Sequence, residues 1–310
     1  MIENNIISDH FTVEELKKLK ITPPDAKMYK KIRSNWDSVA KPLDGMGDFE
    51  LLTAKIGAVL GDENVDISKK AVIMMCADNG VVAEGISQSG QEITAAVTEN
   101  LGKRNTSVCK MAQTVGAEIF PVDIGVNTDR IFPGVISRKV KKGTNDFLLK
   151  PAMSEREAMQ AVRVGMELVK ECKEAGYTLL GTGEMGIGNT TTSAAMAAAL
   201  LSVPPEIVAG RGAGLSDEGL VRKRQVISEA LEKYQLRETE PMRILCSVGG
   251  LDIAGLCGVF LGGAKYHMPI VADGVISAVA ALTAERLCPG TKEFIIPSHK
   301  GKEPASELLM

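Results

Sequence analysis

Residues 181–192, GTGEMGIGNTTT, bring together glycines, a carboxylate and small amide and hydroxyl side chains at a spacing suited to holding an anion. Glycine lets backbone N–H groups approach a ligand closely, and a helix N-terminus adds unpaired donors and the positive end of its dipole. The preceding YTLL reads as the end of a buried strand and TTSAAMAAALL as a helix, with Asn189 and Thr190 as residues of the N-cap type. Gly181, Gly183 and Gly186 spell G-x-G-x-x-G, the dinucleotide fingerprint. Its acidic partner, due about 20 positions on, is missing. Glu206 stands near that distance but follows Pro204 and Pro205, which is no strand end. Gly183 through Thr190 also spell a P-loop pattern with Asn189 in the place of the lysine. Without that point charge a nucleotide monophosphate fits better than a triphosphate. The bland alternative is a tight strand-to-helix turn whose glycines serve packing.

A second glycine-rich turn, GRGAGLSDEGLVRKRQVI (210–227), enters another helix, with Ser216 as its cap and Asp217 and Glu218 in its first turn. Arg222, Lys223 and Arg224 follow, and a lysine here can reach back to the 186–190 turn; a solvated basic face is the other reading. Residues 77–94, ADNGVVAEGISQSGQEIT, form a polar stretch in which Gln88, Gln91 and Glu92 can face a flat heteroaromatic ligand. Glu184 stands between glycines at a strand end beside the phosphate turn. It can orient a ribose hydroxyl, stabilise positive charge at an anomeric carbon, or simply cap the turn.

The elements that must position these groups alternate along the chain. Residues 11–61 are helical in pattern; from Lys70 short apolar runs alternate with longer helical ones. The strand candidates are 71–78, 117–125, 177–184, 242–250, 268–274 and 293–301. Apolar strands joined by helices predict a parallel sheet covered on both faces, with a ligand crevice beyond the strands' carboxyl ends. Each candidate ends in polar or glycine residues, as at Asp78-Asn79-Gly80, Asp123-Ile124-Gly125, Gly249-Gly250 and Asp273-Gly274, although turn chemistry explains any one of these. With 45% hydrophobic and 24% charged residues, the 310-residue chain has ample core material. A net charge of −3 and 4% aromatics speak against nucleic-acid or membrane partners. Six scattered cysteines without a C-x-x-C, and no apolar run of 18 residues, predict a cytoplasmic protein with reduced thiols. His10, His267 and His299 lack metal-site spacing, so no metal is expected.

ADNGVVAEGISQSGQEIT, GEMGIGNTTTSAA, GRGAGL, VGGLDIAGLCG, ADGVISAVAAL and SHKGKE occur in an order that resembles the nicotinate-nucleotide:dimethylbenzimidazole phosphoribosyltransferases of cobamide lower-ligand activation. KPLDGMGDFE is similar to that family's KP-x-G-S-L-G-x-L-E stretch, and the resemblance runs from about Trp36 to the C-terminus. It implies an α/β fold: a Rossmann-like, mostly parallel sheet of about six strands covered by helices, plus a small helical domain, in a homodimer. The expected division is an N-terminal helical segment at 1–60, a nucleotide-binding domain at 61–300 and the start of a C-terminal helical segment at 301–310. Carried onto this sequence, the resemblance places the substrate phosphate on Gly186, Ile187, Gly188, Asn189 and Thr190 with Lys223 nearby, and Glu184 by the ribose and incoming base as the catalytic candidate. Gln91 and Met185 line the base pocket, with Asp252 and Asp273 on its floor. Asn79 replaces a frequent histidine of D-H-G, and Gly301 a frequent serine of S-H-x-S-x-E.

The implied reaction moves 5-phosphoribosyl from nicotinate mononucleotide to 5,6-dimethylbenzimidazole or a related base, giving α-ribazole 5'-phosphate and nicotinate for cobalamin assembly. No metal is needed, because the leaving ring departs neutral, and no cofactor is expected. The family's general base is the glutamate of a C-terminal L-G-E-G-T-G-A motif, beyond Met310; Glu303 belongs to the earlier motif. The expectation is a shortened chain, SELLM being a helix cut at its start. A non-catalytic nucleotide- or base-binding subunit, and an NAD-dependent dehydrogenase resting on G-x-G-x-x-G, are the alternatives.

Overall fold

A computed structural model describes residues 12–309. Strands β1 (Lys70–Ala77), β2 (Ala117–Gly125), β3 (Ile136–Ser137), β4 (Leu179–Met185), β5 (Ile270–Ala272) and β6 (Ile295–Pro297) form one sheet in the order β3-β2-β1-β4-β5-β6. All its pairings are parallel. Before β1 come α1 (Val13–Lys17), α2 (Ala26–Asp37) and α3 (Asp48–Leu60). Helices α4 (Glu92–Gly102) and α5 (Ser107–Thr114) link β1 to β2, and α6 (Glu155–Glu174) leads into β4. Five helices separate β4 from β5: α7 (Asn189–Leu201), α8 (Pro205–Val208), α9 (Asp217–Tyr234), α10 (Pro241–Val248) and α11 (Leu251–Tyr266). Helix α12 (Gly274–Leu287) leads towards β6, and α13 (Ser306–Leu309) follows it.

This is the strand order of the doubly wound nucleotide-binding folds, and its direction of winding reverses between β1 and β4. In folds of this order the loops leaving those two strands diverge to opposite faces and open a crevice there. The run 117–125 coincides with β2, and four other strand expectations overlap β1, β4, β5 and β6. Residues 242–250 do not form a strand: they are helix α10 and its exit. A short apolar run reads alike as buried strand or buried helix. Pro241 at the first helical position, with Met242, Leu245 and Val248 buried at threefold spacing, decides for the helix. The sixth strand is the two-residue β3, too short to leave a periodic signal.

The largest apolar cluster joins the sheet to α6, α7, α9, α10, α11 and α12. Helix α11 is buried along nearly its whole length and packs on α6 through glycines. A β-carbon on Gly258 would stand 1.8 Å from the Val162 carbonyl oxygen, and one on Gly165 2.0 Å from that of Gly255. The N-terminal helices attach through α3: Val59 packs with Ala264 and Phe294, and Lys55 Nζ donates to the Ile295 carbonyl at 2.6 Å. No described helix is long and apolar enough to cross a membrane.

Gly258→Ala forces two backbones apart, so it should lower unfolding free energy by about 1–3 kcal/mol, the usual cost of overpacking. Urea denaturation reads this directly; an unchanged midpoint would refute the glycine-dependent seam.

Candidate active site

Strand β4 ends at Met185, the chain turns through Gly186–Gly188, and α7 starts at Asn189. Gly181 and Gly183 lie inside β4, not in the turn: a β-carbon on Gly183 would stand 2.1 Å from Met74 Sδ of β1. The first two glycines of the apparent dinucleotide fingerprint therefore serve strand packing. Gly186 belongs to the turn and has no room for a side chain, since its β-carbon would meet the Ala77 carbonyl at 2.4 Å and Asp252 Oδ2 at 2.8 Å. Gly188 is the helix cap, at φ +92°, a value that favours glycine. Asn189 and Thr190 are thus the first helical residues rather than caps, which frees the Asn189 side chain for other work. The Ile187 N–H donates to the Thr94 hydroxyl at 3.1 Å, whereas the N–H groups of Gly188 and Thr190 have no partner among the described residues.

Those amides border a cavity of about 120 Å³ formed by residues 86–89, 186–190 and the turn around 211–215. Behind it, Lys223 is fully buried on α9 and donates to Thr190 Oγ1 and the Gly210 carbonyl, each at 3.1 Å. Burial pushes its ammonium down to about 8, the Glu303 carboxylate opposing that shift. Arg222 instead pairs with Glu84, and Arg224 reaches the Glu206 carbonyl at 3.5 Å, so Lys223 is the member of the basic triplet turned inward. Ser216 caps α9 by accepting from the Gly219 N–H at 3.1 Å.

Glu184 and Asp252 converge beside the same turn. Asn189 Nδ2 donates to both carboxyl groups, to Glu184 Oε2 and to Asp252 Oδ2, the latter at 2.9 Å. Asp252 is fully buried in the first turn of α11, where it also accepts from the Ile253 N–H at 3.0 Å. Burial, then the Asp252 charge, raises the Glu184 carboxyl to about 7. Burial likewise raises Asp252 to about 6 against the help of Asn189 and Ile253. Gly249 and Gly250 reach this edge as the junction between α10 and α11, not as a strand end.

The remaining candidates stand further out. Asp273 caps the start of α12 on the rim, its side chain 64% exposed and 3.7 Å from His299 Nδ1. Gln91 donates to the Asn79 carbonyl at 3.0 Å, Gln88 donates to that of Gly214, and Met185 packs on the cluster beneath β1 and β2. Asp78 accepts from the Asn127 N–H at 2.7 Å and Asp123 pairs with Lys139 at 3.1 Å, so both hold loops. Sequence reasoning passed over Thr94, whose buried hydroxyl fixes the turn, and Arg211, which lines the cavity. It also set Glu303 aside, yet its carboxylate accepts from the Gly212 N–H at 3.0 Å. No group of three or more metal-ligating side chains is placed to hold an ion among the described residues.

A family pattern described as "Phosphoribosyltransferase" (DBI_PRT) matches residues 21–310. The chain belongs to this phosphoribosyltransferase family. Nicotinate-nucleotide--dimethylbenzimidazole phosphoribosyltransferase of Acetivibrio thermocellus is 45% identical over 279 residues, covering 90% of this chain and 80% of that protein. The enzyme of the same name from Alkaliphilus metalliredigens is 44% identical over 291 residues, covering 92% and 83%. Among solved structures, CobT of Thermus thermophilus superposes with a TM-score of 0.87 at 34% identity, covering 91% of this chain and 85% of that one. The crevice of this phosphoribosyltransferase thus offers amides for an anion and, beside them, an amide-bridged carboxyl pair.

Because the folded state holds the Glu184 proton more tightly than the unfolded chain, its contribution to stability falls as pH rises from about 4.5 to about 7. Glu184→Gln abolishes that slope. Urea titrations at pH 5 and pH 8 should therefore show the variant gaining on wild type at the higher pH; parallel behaviour of the two proteins would exclude a raised Glu184.

Proposed function

We propose that this chain transfers the 5-phosphoribosyl group of nicotinate mononucleotide to 5,6-dimethylbenzimidazole or a related base, giving an α-ribotide and nicotinate. The observation that carries this reading is the junction of the two half-sites. Gly188 and Thr190, whose N–H groups lack a partner among the described residues, line a small cavity, and Asn189 of the Glu184–Asn189–Asp252 cluster lines it too. The names borne by relatives of 45% and 44% identity agree with it.

The phosphate rests against Gly188 and Thr190, with Lys223 behind them. That anchor sets the ribose towards Glu184. The base nitrogen attacks the anomeric carbon from the face opposite the pyridinium. The carbon–nitrogen bond to nicotinate breaks and its electron pair returns to the ring, which departs as a neutral heteroaromatic. The attacking base thereby becomes cationic, and its ring proton passes to solvent water, which leaves the ribotide's ring neutral. Positive charge develops at the anomeric carbon during transfer, and a fixed carboxylate beside it stabilises the transition state without reorganising. Holding both rings in line supplies a further part of the acceleration. Asp252 keeps Glu184 in place through their shared amide, while Gln91, Met185 and Asp273 border the space for the base. We further assign the N-terminal helices to a small helical unit, and the protein to the cytoplasm as a homodimer without nucleic-acid partners; five of its six cysteines are buried thiols.

An assay with nicotinate mononucleotide and 5,6-dimethylbenzimidazole, analysed for the α-ribotide, tests the reaction. Binding of both substrates without product would leave only a binding role. If ionised Glu184 and protonated Lys223 are both required, kcat/KM should climb as pH rises towards about 7 and decline above about 8. Glu184→Gln should cost roughly 10²–10³-fold in kcat, as loss of one preorganised stabilising group does, and remove the acid limb. Lys223→Ala should weaken nucleotide binding; an unaltered dissociation constant takes Lys223 out of the site.

A further inference from the structure

Arg211 stands in the turn between α8 and α9, on the wall of the cavity facing the Gly186–Thr190 turn. Of the described residues lining that cavity it alone carries a charge. Its guanidinium is held by its own segment: Nη1 donates to the Leu215 carbonyl at 2.8 Å and Nη2 to the Asp217 carboxylate. The Arg211 and Asp217 side chains are 49% and 83% exposed, so water screens their attraction. Lys223 is placed differently. It is fully buried, and its two hydrogen bonds join the Thr190 hydroxyl to the Gly210 carbonyl.

The backbone carrying Arg211 is fixed on several sides. A β-carbon on Gly212 would stand 2.9 Å from Thr190 Oγ1, the Gly212 N–H is held by Glu303, and the Gly214 carbonyl accepts from Gln88. The part free to move is the guanidinium. A phosphate in the cavity would attract it strongly, because a guanidinium presents paired donors that match phosphate oxygens.

We infer that Arg211 is the direct cationic contact of the substrate phosphate, exchanging the Asp217 carboxylate for phosphate oxygens on binding, while Lys223 positions Thr190 and the Gly210 carbonyl from behind. The inference rests on the reading that a nucleotide phosphate occupies this cavity. Asp217 then acts as a holding partner that keeps the charge at the cavity wall between turnovers.

Equilibrium binding of nicotinate mononucleotide and of nicotinate riboside, which lacks the phosphate, separates the two claims. Arg211→Ala should weaken the mononucleotide about 10- to 100-fold, the value of a hydrogen bond to a charged group, and leave the riboside within about twofold. Asp217→Asn, which keeps the shape but releases the guanidinium, should tighten the mononucleotide a few-fold and leave the riboside unchanged. If wild type prefers the mononucleotide and folded Arg211→Ala keeps that preference in full, Arg211 is not the contact although the phosphate cavity stands. Should Arg211→Ala fail to fold, unaltered mononucleotide binding by Asp217→Asn overturns the exchange. Equal affinity of wild type for both ligands removes the phosphate from the cavity, and the assignment with it.

Discussion

One side-chain amide lies between two carboxyl groups that the fold brings into the same crevice. Glu184 comes from the end of β4 and Asp252 from the start of α11, and Asn189 at the start of α7 offers a hydrogen bond to each. Two like charges removed from bulk water destabilise one another and the fold. The shared amide, the Ile253 N–H and the position of Asp252 in the first turn of α11 offset part of that cost. Because Asn189 also opens the helix whose N-terminus borders the cavity, a single residue belongs to both the cavity and the carboxyl cluster.

That convergence depends on how closely the layers approach. Helix α11 reaches the carboxyl edge of the sheet because glycines let it lie against α6, and Gly186 lets the turn lie against β1 and Asp252. Strand β4 is equally constrained from β1, where Met74 fills the space left by Gly183. Side chains at these positions would not remove a carboxyl group from the crevice; they would move one. Sub-ångström placement is what a site acting by orientation and fixed charge requires.

Positive charge is arranged in layers around the small cavity beside the Gly186–Thr190 turn. Gly188 and Thr190 line it with N–H groups that lack a partner among the described residues, Lys223 lies dry behind Thr190, and Arg211 stands at the wet wall. A buried ammonium with a depressed affinity for its proton suits a fixed structural link. A screened guanidinium suits exchange between partners. Such a graded arrangement suits an anionic ligand, with long-range attraction at the mouth and fixed donors deeper in.

The amino-acid sequence by itself determined the parallel sheet, the strand-to-helix glycine turn and the order of the chemical motifs, because these follow from local periodicity and from short-range backbone requirements. It also held the resemblance that the family match bears out. It could not distinguish the 242–250 helix from a strand, since a short, mostly apolar run satisfies both patterns and Pro241 is a single-residue signal. Nor could it separate the glycines that pack inside β4 from those that open the turn, because both read as G-x-G. Only the tertiary structure decided that Asn189 joins Glu184 to a carboxylate 63 positions beyond itself, and that Lys223 is buried against Thr190 while Arg211 lines the cavity. Such pairings are made by helices crossing a sheet, and a linear pattern carries no record of which helix ends meet.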